Sequence, residues 1–225
     1  MNCKKKEHSL FLELNQEELN ILNEKRFCIS YSEGEYIYKQ GMKPDYLICL
    51  NSGKAKITKL TSSGKTQIIG LDKPVDFLGI YDLTSDTPYT TSAIALQKTN
   101  VCLIPKAQLI KVIDHNPEFA KKIISLFAQK INEINSRLIN HTQKNLRGRL
   151  ADTLLYIHET FGFEKKSKFL DIQLKRSEIA ELSNMDVSNA SRTLSEFAAE
   201  GIIGLEGRKF EVFDISKLNF IRNQG

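Results

Sequence analysis

Residues 176–194, Arg-Ser-Glu-Ile-Ala-Glu-Leu-Ser-Asn-Met-Asp-Val-Ser-Asn-Ala-Ser-Arg-Thr-Leu, read as two short helices joined by a tight polar turn. Ser177 and Asp186 stand where a side-chain oxygen caps a helix start. Ile179, Ala180, Leu182, Ala190, Thr193 and Leu194 supply the small and apolar faces by which two such helices pack at a steep angle. Asn184 falls at the turn, where Asn tolerates a left-handed backbone better than most residues. The second helix leaves Val187, Ser188, Asn189, Ser191 and Arg192 near its exposed beginning, as a helix-turn-helix offers side chains to the major groove of double-stranded DNA. An ordinary helical hairpin shares this spacing. The small residue at the crossing and the Asn at the turn favour the nucleic-acid reading.

Working outward, residues 141–145, His-Thr-Gln-Lys-Asn, are polar and read as a hinge. Asn145 is placed to cap a helix over 146–159, which Phe161-Gly-Phe163 ends. Phe169-Leu-Asp-Ile-Gln173 reads as a short strand ahead of the helix pair. Behind the pair, Phe197 points inward and Gly201 stops the second helix. Ile202-Ile203 and Lys209–Phe213 can then pair across Glu206-Gly207 as a hairpin wing.

Upstream, a long helix starts near Pro117, a residue suited to a first helical turn. Ile124, Phe127, Ile131, Ile134 and Leu138 follow at spacings of 3, 4, 3 and 4. Such a stripe is narrower than a core helix needs and suits pairing with a second copy, giving a homodimer. His141 takes the next seam position and ends the stripe.

Between about 31 and 105 the texture is different. Tyr36–Tyr38, Tyr46–Leu50, Ala55–Thr58, Gln67–Ile69 and Val101–Ile104 are short β-rich runs broken by turns such as Asn51-Ser-Gly53 and Ser62-Ser-Gly-Lys65. This pattern suggests a small antiparallel barrel or roll. Residues 10–25 look helical, with a capping box at Asn15–Glu18.

Composition sets the outer limits. With 41% hydrophobic and 26% charged residues, the 225-residue chain can bury a substantial core in one large or two modest domains. The net charge is +5, yet residues 145–225 hold twelve basic and twelve acidic side chains. Bulk charge therefore does not argue for DNA, and any basic face is local. No apolar run approaches the ~18 residues of a membrane span, and the basic start Met1–His8 lacks the apolar stretch of a secretory signal. A cytoplasmic location without a membrane partner is expected. Catalysis is not expected either: the chain has no Walker loop, HExxH, GxSxG, CxxC or dinucleotide-binding fingerprint.

The order of these parts is strongly similar to the Crp/Fnr family of bacterial transcription regulators. The likeness runs over about residues 15–220. It is most specific at Arg147-Gly-Arg-Leu-Ala-Asp-Thr-Leu-Leu155, at 176–194 and at Asp76-Phe-Leu-Gly79; the run Asn184–Leu194 resembles members from the Bacteroidetes. The resemblance implies an α+β chain. An antiparallel β-roll of the cyclic-nucleotide-binding kind would cover residues 1–115 and sense an effector. A dimerisation helix would follow over 116–141, and a winged helix-turn-helix over 145–225. It implies a homodimer on a pseudo-palindromic DNA site, a small effector, and RNA polymerase as a protein partner.

Site residues follow position by position. Family recognition helices hold a Glu that reads cytosine and, four residues later, an Arg that reads guanine. Arg192 keeps the Arg, Ser188 stands in place of the Glu, and Val187 and Ser191 resemble the oxygen-sensing branch. Arg176, Ser177, Asn189 and Arg208 match positions near phosphates. The family's phosphate cassette carries a Glu for the ribose and an Arg for the cyclic phosphate. Here Gly79 and Ser92 remain, but Ile80 and Thr91 replace the Glu and the Arg, so cyclic AMP and cyclic GMP are not expected ligands. Nor is an iron–sulfur cluster, since Cys3, Cys28, Cys49 and Cys102 are widely separated. Cys49 and Cys102 sit in apolar runs and read as buried thiols. His8, His115, His141 and His158 lack any pattern that supports haem, so no cofactor and no metal site is expected. The alternative is a ligand- or redox-sensing module (haem or gas) that acts mainly through protein contacts.

Overall fold

The computed structural model describes residues 10–224, and the chain divides into two compact units, Met1–Asn132 and Glu133–Gly225. Cys3 and His8 lie outside the described residues, as does the side chain of His141.

In the first unit a 3-10 turn, Leu10–Glu13, precedes helix α1, Gln16–Asn23. The expected capping box is present. Asn15 Oδ1 accepts from the Glu18 N–H at 2.9 Å, and the Asn15 N–H donates to the Glu18 carboxylate at 2.8 Å. Strands β1 (Phe27–Tyr31), β2 (Tyr36–Tyr38), β3 (Tyr46–Ser52), β4 (Ala55–Leu60), β5 (Thr66–Asp72), β6 (Phe77–Leu78), β7 (Ser92–Ala95) and β8 (Thr99–Pro105) form two antiparallel four-stranded sheets. Their orders are β1-β8-β3-β6 and β2-β7-β4-β5.

Strand β3 shows why Tyr46–Leu50 carries no polar alternation: both of its faces are covered. Leu47 and Cys49 join Cys102 and Ile104 of β8 in a cluster with Leu19, Leu22, Leu109 and Phe119. Ile48 and Leu50 face the opposite way, into the roll interior, with Val101, Leu103, Tyr38 and Tyr89. Cys49 and Cys102 are thus buried thiols, as expected.

Two helices of this unit escaped the sequence reading, α2 (Ile80–Ser85) and α3 (Lys106–His115). Helix α4 starts at Pro117 as expected and runs to Gln143. The hinge assigned to 141–145 is therefore mostly helical, and only Lys144 and Asn145 stand between α4 and α5 (Leu146–Phe161). Intrahelical hydrogen bonding carries through the polar residues because nothing there breaks a helix: Thr142 turns its hydroxyl onto the Leu138 and Ile139 carbonyls.

The second unit continues with α6 (Arg176–Leu182), α7 (Val187–Ala199), the hairpin β9 (Ile203–Glu206) and β10 (Lys209–Val212), and α8 (Ile215–Gln224). Asn145 caps α5 through the Gly148 N–H at 2.9 Å, and Gly162, with φ of 70°, closes it. The wing is a two-residue hairpin with Glu206 opposite Lys209. Gly207, with φ of 58°, takes the first turn position that demands a positive φ. Phe169–Gln173 is not a strand. It makes only isolated bridges, Phe163 to Leu170 and Phe169 to Glu211, because the Ile172 N–H turns back onto the Leu170 carbonyl at 2.7 Å. Among the described residues, no helix is long and apolar enough to cross a membrane.

Candidate functional site

Helix α6 begins one residue before the expected cap. Ser177 lies inside its first turn, so it does not cap. The Lys175 N–H instead donates to the Glu178 carboxylate at 2.7 Å, which moves the helix start upstream. After Leu182 the chain turns through Asn184, whose φ of 50° is the left-handed value expected there. Arg149 fixes that turn from α5, donating from Nη1 to the Asn184 carbonyl at 3.0 Å. Asp186 caps α7 as expected, its Oδ1 accepting from the Asn189 N–H at 2.7 Å. That backbone bond holds the Asp186 carboxyl below the usual carboxylate range.

Helix α7 divides cleanly into two sides. Ala190, Thr193, Leu194 and Phe197 are buried and hold it in the unit. Arg147 clamps the far end, reaching Glu200 at 2.8 Å and Glu196 at 3.4 Å with its guanidinium 4.8 Å from the Phe197 ring centre. The hydrogen bond to Glu200 raises the Arg147 pKa further above its ordinary value. Arg147 and Arg149 both brace the helix pair from α5.

The opposite side of α7 carries the expected base-reading residues. Val187, Ser188 and Arg192 are exposed, and Ser191 is half-buried. The Arg192 side chain is 66% exposed and donates from Nη2 to Asn189 Oδ1 at 2.6 Å, with Glu196 at 4.0 Å. Arg176, at the start of α6, lies over the Phe210 ring at 5.3 Å. Its Nη1 is buried with no hydrogen-bond partner among the described residues, and burial pulls the guanidinium pKa down. Arg208 sits in the wing turn, and its carbonyl accepts from the Leu174 N–H at 3.0 Å. This tie holds the wing turn beside the segment that leads into α6.

The cassette positions answer mainly to packing. Ile80 is 1% exposed and belongs to the cluster of Leu47, Leu83, Cys102 and Ile104. An aliphatic side chain is what that surrounding requires. Gly79 has φ of 65°, and a Cβ there would lie 2.4 Å from the Tyr89 ring. Tyr89 stacks on Tyr38 with ring centres 4.0 Å apart. Thr91 and the Tyr38 hydroxyl are hydrogen-bonded at 3.0 Å, and Ser92 accepts from the Gln40 N–H at 2.9 Å. Asp82, also buried, accepts from the Thr90 hydroxyl at 3.0 Å. Burial, reinforced by the Asp82 charge, pushes the Tyr89 hydroxyl up to about 12. The aromatic pair and the carboxylate were missed by sequence reasoning. Two tyrosines 51 positions apart carry no local pattern.

On α4, Phe119 and Ile123 are buried, whereas Ile124, Ile131, Ile134 and Leu138 are 66%, 57%, 54% and 61% exposed. Phe127 differs from these four, since it is partly covered and tilts against Tyr81 with ring centres 4.8 Å apart. Of the histidines, His115 Nδ1 lies 2.7 Å from the Lys111 carbonyl, and His158 packs on Phe163.

Two family models match this chain. One is described as the cyclic nucleotide-binding domain and covers residues 28–116; the other is the Crp-like helix-turn-helix domain and covers 148–221. The chain belongs to the Crp/Fnr family of transcription regulators. This Crp/Fnr chain is a DNA-binding transcription regulator with a sensory domain of the cyclic-nucleotide-binding type. It is 26% identical over 189 residues to the transcriptional activator protein Anr of Pseudomonas aeruginosa, spanning 83% of this chain and 76% of that protein. It is 24% identical over 191 residues to the CRP-like cAMP-activated global transcriptional regulator of Mycobacterium tuberculosis, spanning 84% and 85%. The fold is that of FixK2 from Bradyrhizobium japonicum, with a TM-score of 0.78 at 23% identity over 87% of this chain and 96% of that one. The Pseudomonas and Mycobacterium relatives are by name regulators of transcription.

Proposed function

We propose that this regulator binds a pseudo-palindromic DNA site as a homodimer paired along α4, under the control of an effector that is not a cyclic nucleotide. The observation that carries the pairing is the contrast within one helix. Phe119 and Ile123 are buried, while four of the five seam residues are more than half exposed. Isoleucines and a leucine left in water at heptad spacing lose the ~1.5–3 kcal/mol that each gains on full burial. A twofold-related copy restores that burial and sets the two α7 helices about one DNA turn (~34 Å) apart.

In each half-site Arg192 reads a guanine through O6 and N7, with Val187, Ser188 and Ser191 beside it. Ser188 has no carboxylate, so the base that a Glu would read is relaxed. Arg176, Ser177, Asn189 and Arg208 meet phosphates in this reading. In this reading residues 1–115 sense, 116–141 pair and 145–225 bind DNA. The bound regulator works in the cytoplasm and contacts RNA polymerase.

Three features in and beside the cassette positions Gly79, Ile80, Thr91 and Ser92 support a different effector. Ile80 is spent on the core, Thr91 is bonded to Tyr38, and Asp82 adds a negative charge nearby. A cyclic phosphate meets no cation among these residues. Calorimetry is expected to show no micromolar affinity for cyclic AMP or cyclic GMP; such affinity would refute this part. Sedimentation tests the pairing. Wild type is expected to run as a dimer, while Ile131→Glu with Leu138→Glu runs as a folded monomer and loses DNA affinity. A monomeric wild type, or a dimer that survives both changes, contradicts the proposal.

A further inference from the structure

The sequence reading set the cysteines far apart, yet the fold lines three of them up. On the sheet ordered β1-β8-β3, Cys28 is the register partner of Cys102, and Cys102 is the register partner of Cys49. Directly opposed residues of antiparallel strands share a face, so the three side chains form one row. Opposed Cα atoms lie about 4.5 or 5.5 Å apart. Both separations fall within the ~4.4–6.8 Å that a disulfide spans. Cys28 and Cys49 lie two strand spacings apart, roughly 9.5 Å, which exceeds that reach. Cys102 can therefore bridge to either neighbour and to only one at a time.

Exposure separates the two neighbours. Cys28 lies on the edge strand β1 and is exposed, whereas Cys49 and Cys102 are buried at 3% and 1%. Oxidant from solvent meets Cys28 first. Burial shields Cys49 from a solvent oxidant, while a sulfenic acid at Cys28 stands against Cys102 in the row.

We infer that Cys28 and Cys102 form an oxidisable dithiol site for hydroperoxides, with Cys28 attacking the peroxide and Cys102 resolving it. In the first step the Cys28 thiolate attacks the outer peroxide oxygen. The O–O bond breaks, an alcohol (or water) leaves, and Cys28 becomes a sulfenic acid. In the second step Cys102 gives up its proton and attacks the Cys28 sulfur. The S–S bond forms, the S–O bond breaks and water leaves. Two thiols and one hydroperoxide thus yield one disulfide, one alcohol and one water. The bridge would tie the edge strand β1 to β8, in the sheet whose other thiol, Cys49, packs in the cluster that also receives Phe119 and Ile123 of α4.

The test treats the full chain with a small excess of tert-butyl hydroperoxide and maps linked peptides by mass spectrometry. A Cys28–Cys102 linkage that a dithiol reductant reverses is expected. Cys102→Ala, which keeps the position apolar, is expected to abolish the linkage and leave a sulfenic acid at Cys28 that dimedone traps. Cys28→Ser is expected to slow thiol loss at Cys102 by at least tenfold. A linkage of Cys28 to Cys3, a Cys49–Cys102 linkage, undiminished oxidation of Cys102 in Cys28→Ser, or no linkage at all would each overturn the inference.

Discussion

The cassette positions of the β-roll and the outer side of α7 are both candidate reading sites, and they are built in opposite ways. In the roll, each tested position serves the fold: Ile80 fills a core, Gly79 makes room for Tyr89, and Thr91 is tied to Tyr38. On α7 the core duty falls to Ala190, Thr193, Leu194 and Phe197, which leaves Val187, Ser188 and Arg192 exposed to solvent. A residue that carries packing cannot be exchanged for chemistry without cost, and one that carries none can. The contrast teaches that identity at the cassette reports on the roll's own stability, whereas the outer side of α7 is free of packing duty and open to the partner proposed for it.

Substitutions can break that contrast, and the largest effect belongs to the inner side of α7. Phe197→Ala removes a fully buried ring and the surface on which Arg147 lies. It is expected to destabilise the second unit by about 3–5 kcal/mol, read from denaturant unfolding. A loss below ~1 kcal/mol would show that α7 is not anchored as described.

Next comes Gly79→Ala. The added Cβ meets the Tyr89 ring at 2.4 Å on a backbone of positive φ. Strain and overpacking together are expected to cost about 2–4 kcal/mol, confined to the first unit and visible as lost hydrogen-exchange protection there. An unperturbed roll would mean that the cassette is roomy and open to a bulkier ligand than this account allows.

Asp186 sharpens the comparison through pH. Its carboxyl pKa is depressed in the folded chain by the Asn189 N–H. Its capping contribution is therefore fully present above the ordinary carboxylate pKa, near 4, and is lost as pH falls through the lower folded value. The second unit of Asp186→Asn, which keeps a capping oxygen, is expected to lose less stability than wild type between about pH 4 and pH 2. Identical acid sensitivity would remove the cap from the account.

Much of this was legible in the sequence, and the gaps have physical causes. The turn at Asn184 and the caps at Asn15, Asn145 and Asp186 announce themselves because their chemistry is local, whereas the wing turn read at Glu206-Gly207 falls one residue later, at Gly207-Arg208, because Glu206 still pairs with Lys209. The strands of the roll appear as β-branched and aromatic runs between turns. Ser177 misled because a capping hydroxyl is a good local sign, but the Glu178 carboxylate outcompetes it from within the same turn. Phe169–Gln173 has strand composition and lacks a regular ladder. The row of Cys28, Cys102 and Cys49 is a product of strand register, and the Tyr38–Tyr89 stack comes from the loop before β7 bonding to the loop after β2; residue patterns along the chain encode neither.

One measurement bears most directly on the account: selection of binding sites from random duplexes by wild type and by Arg192→Ala, at one fixed salt concentration. Wild type is expected to select two half-sites one helical turn apart with a shared guanine. Arg192→Ala is expected to lose about 1–3 kcal/mol of preference at that base alone, with its unfolding curve unchanged. An identical base preference in the variant, or a site without twofold symmetry, would contradict it.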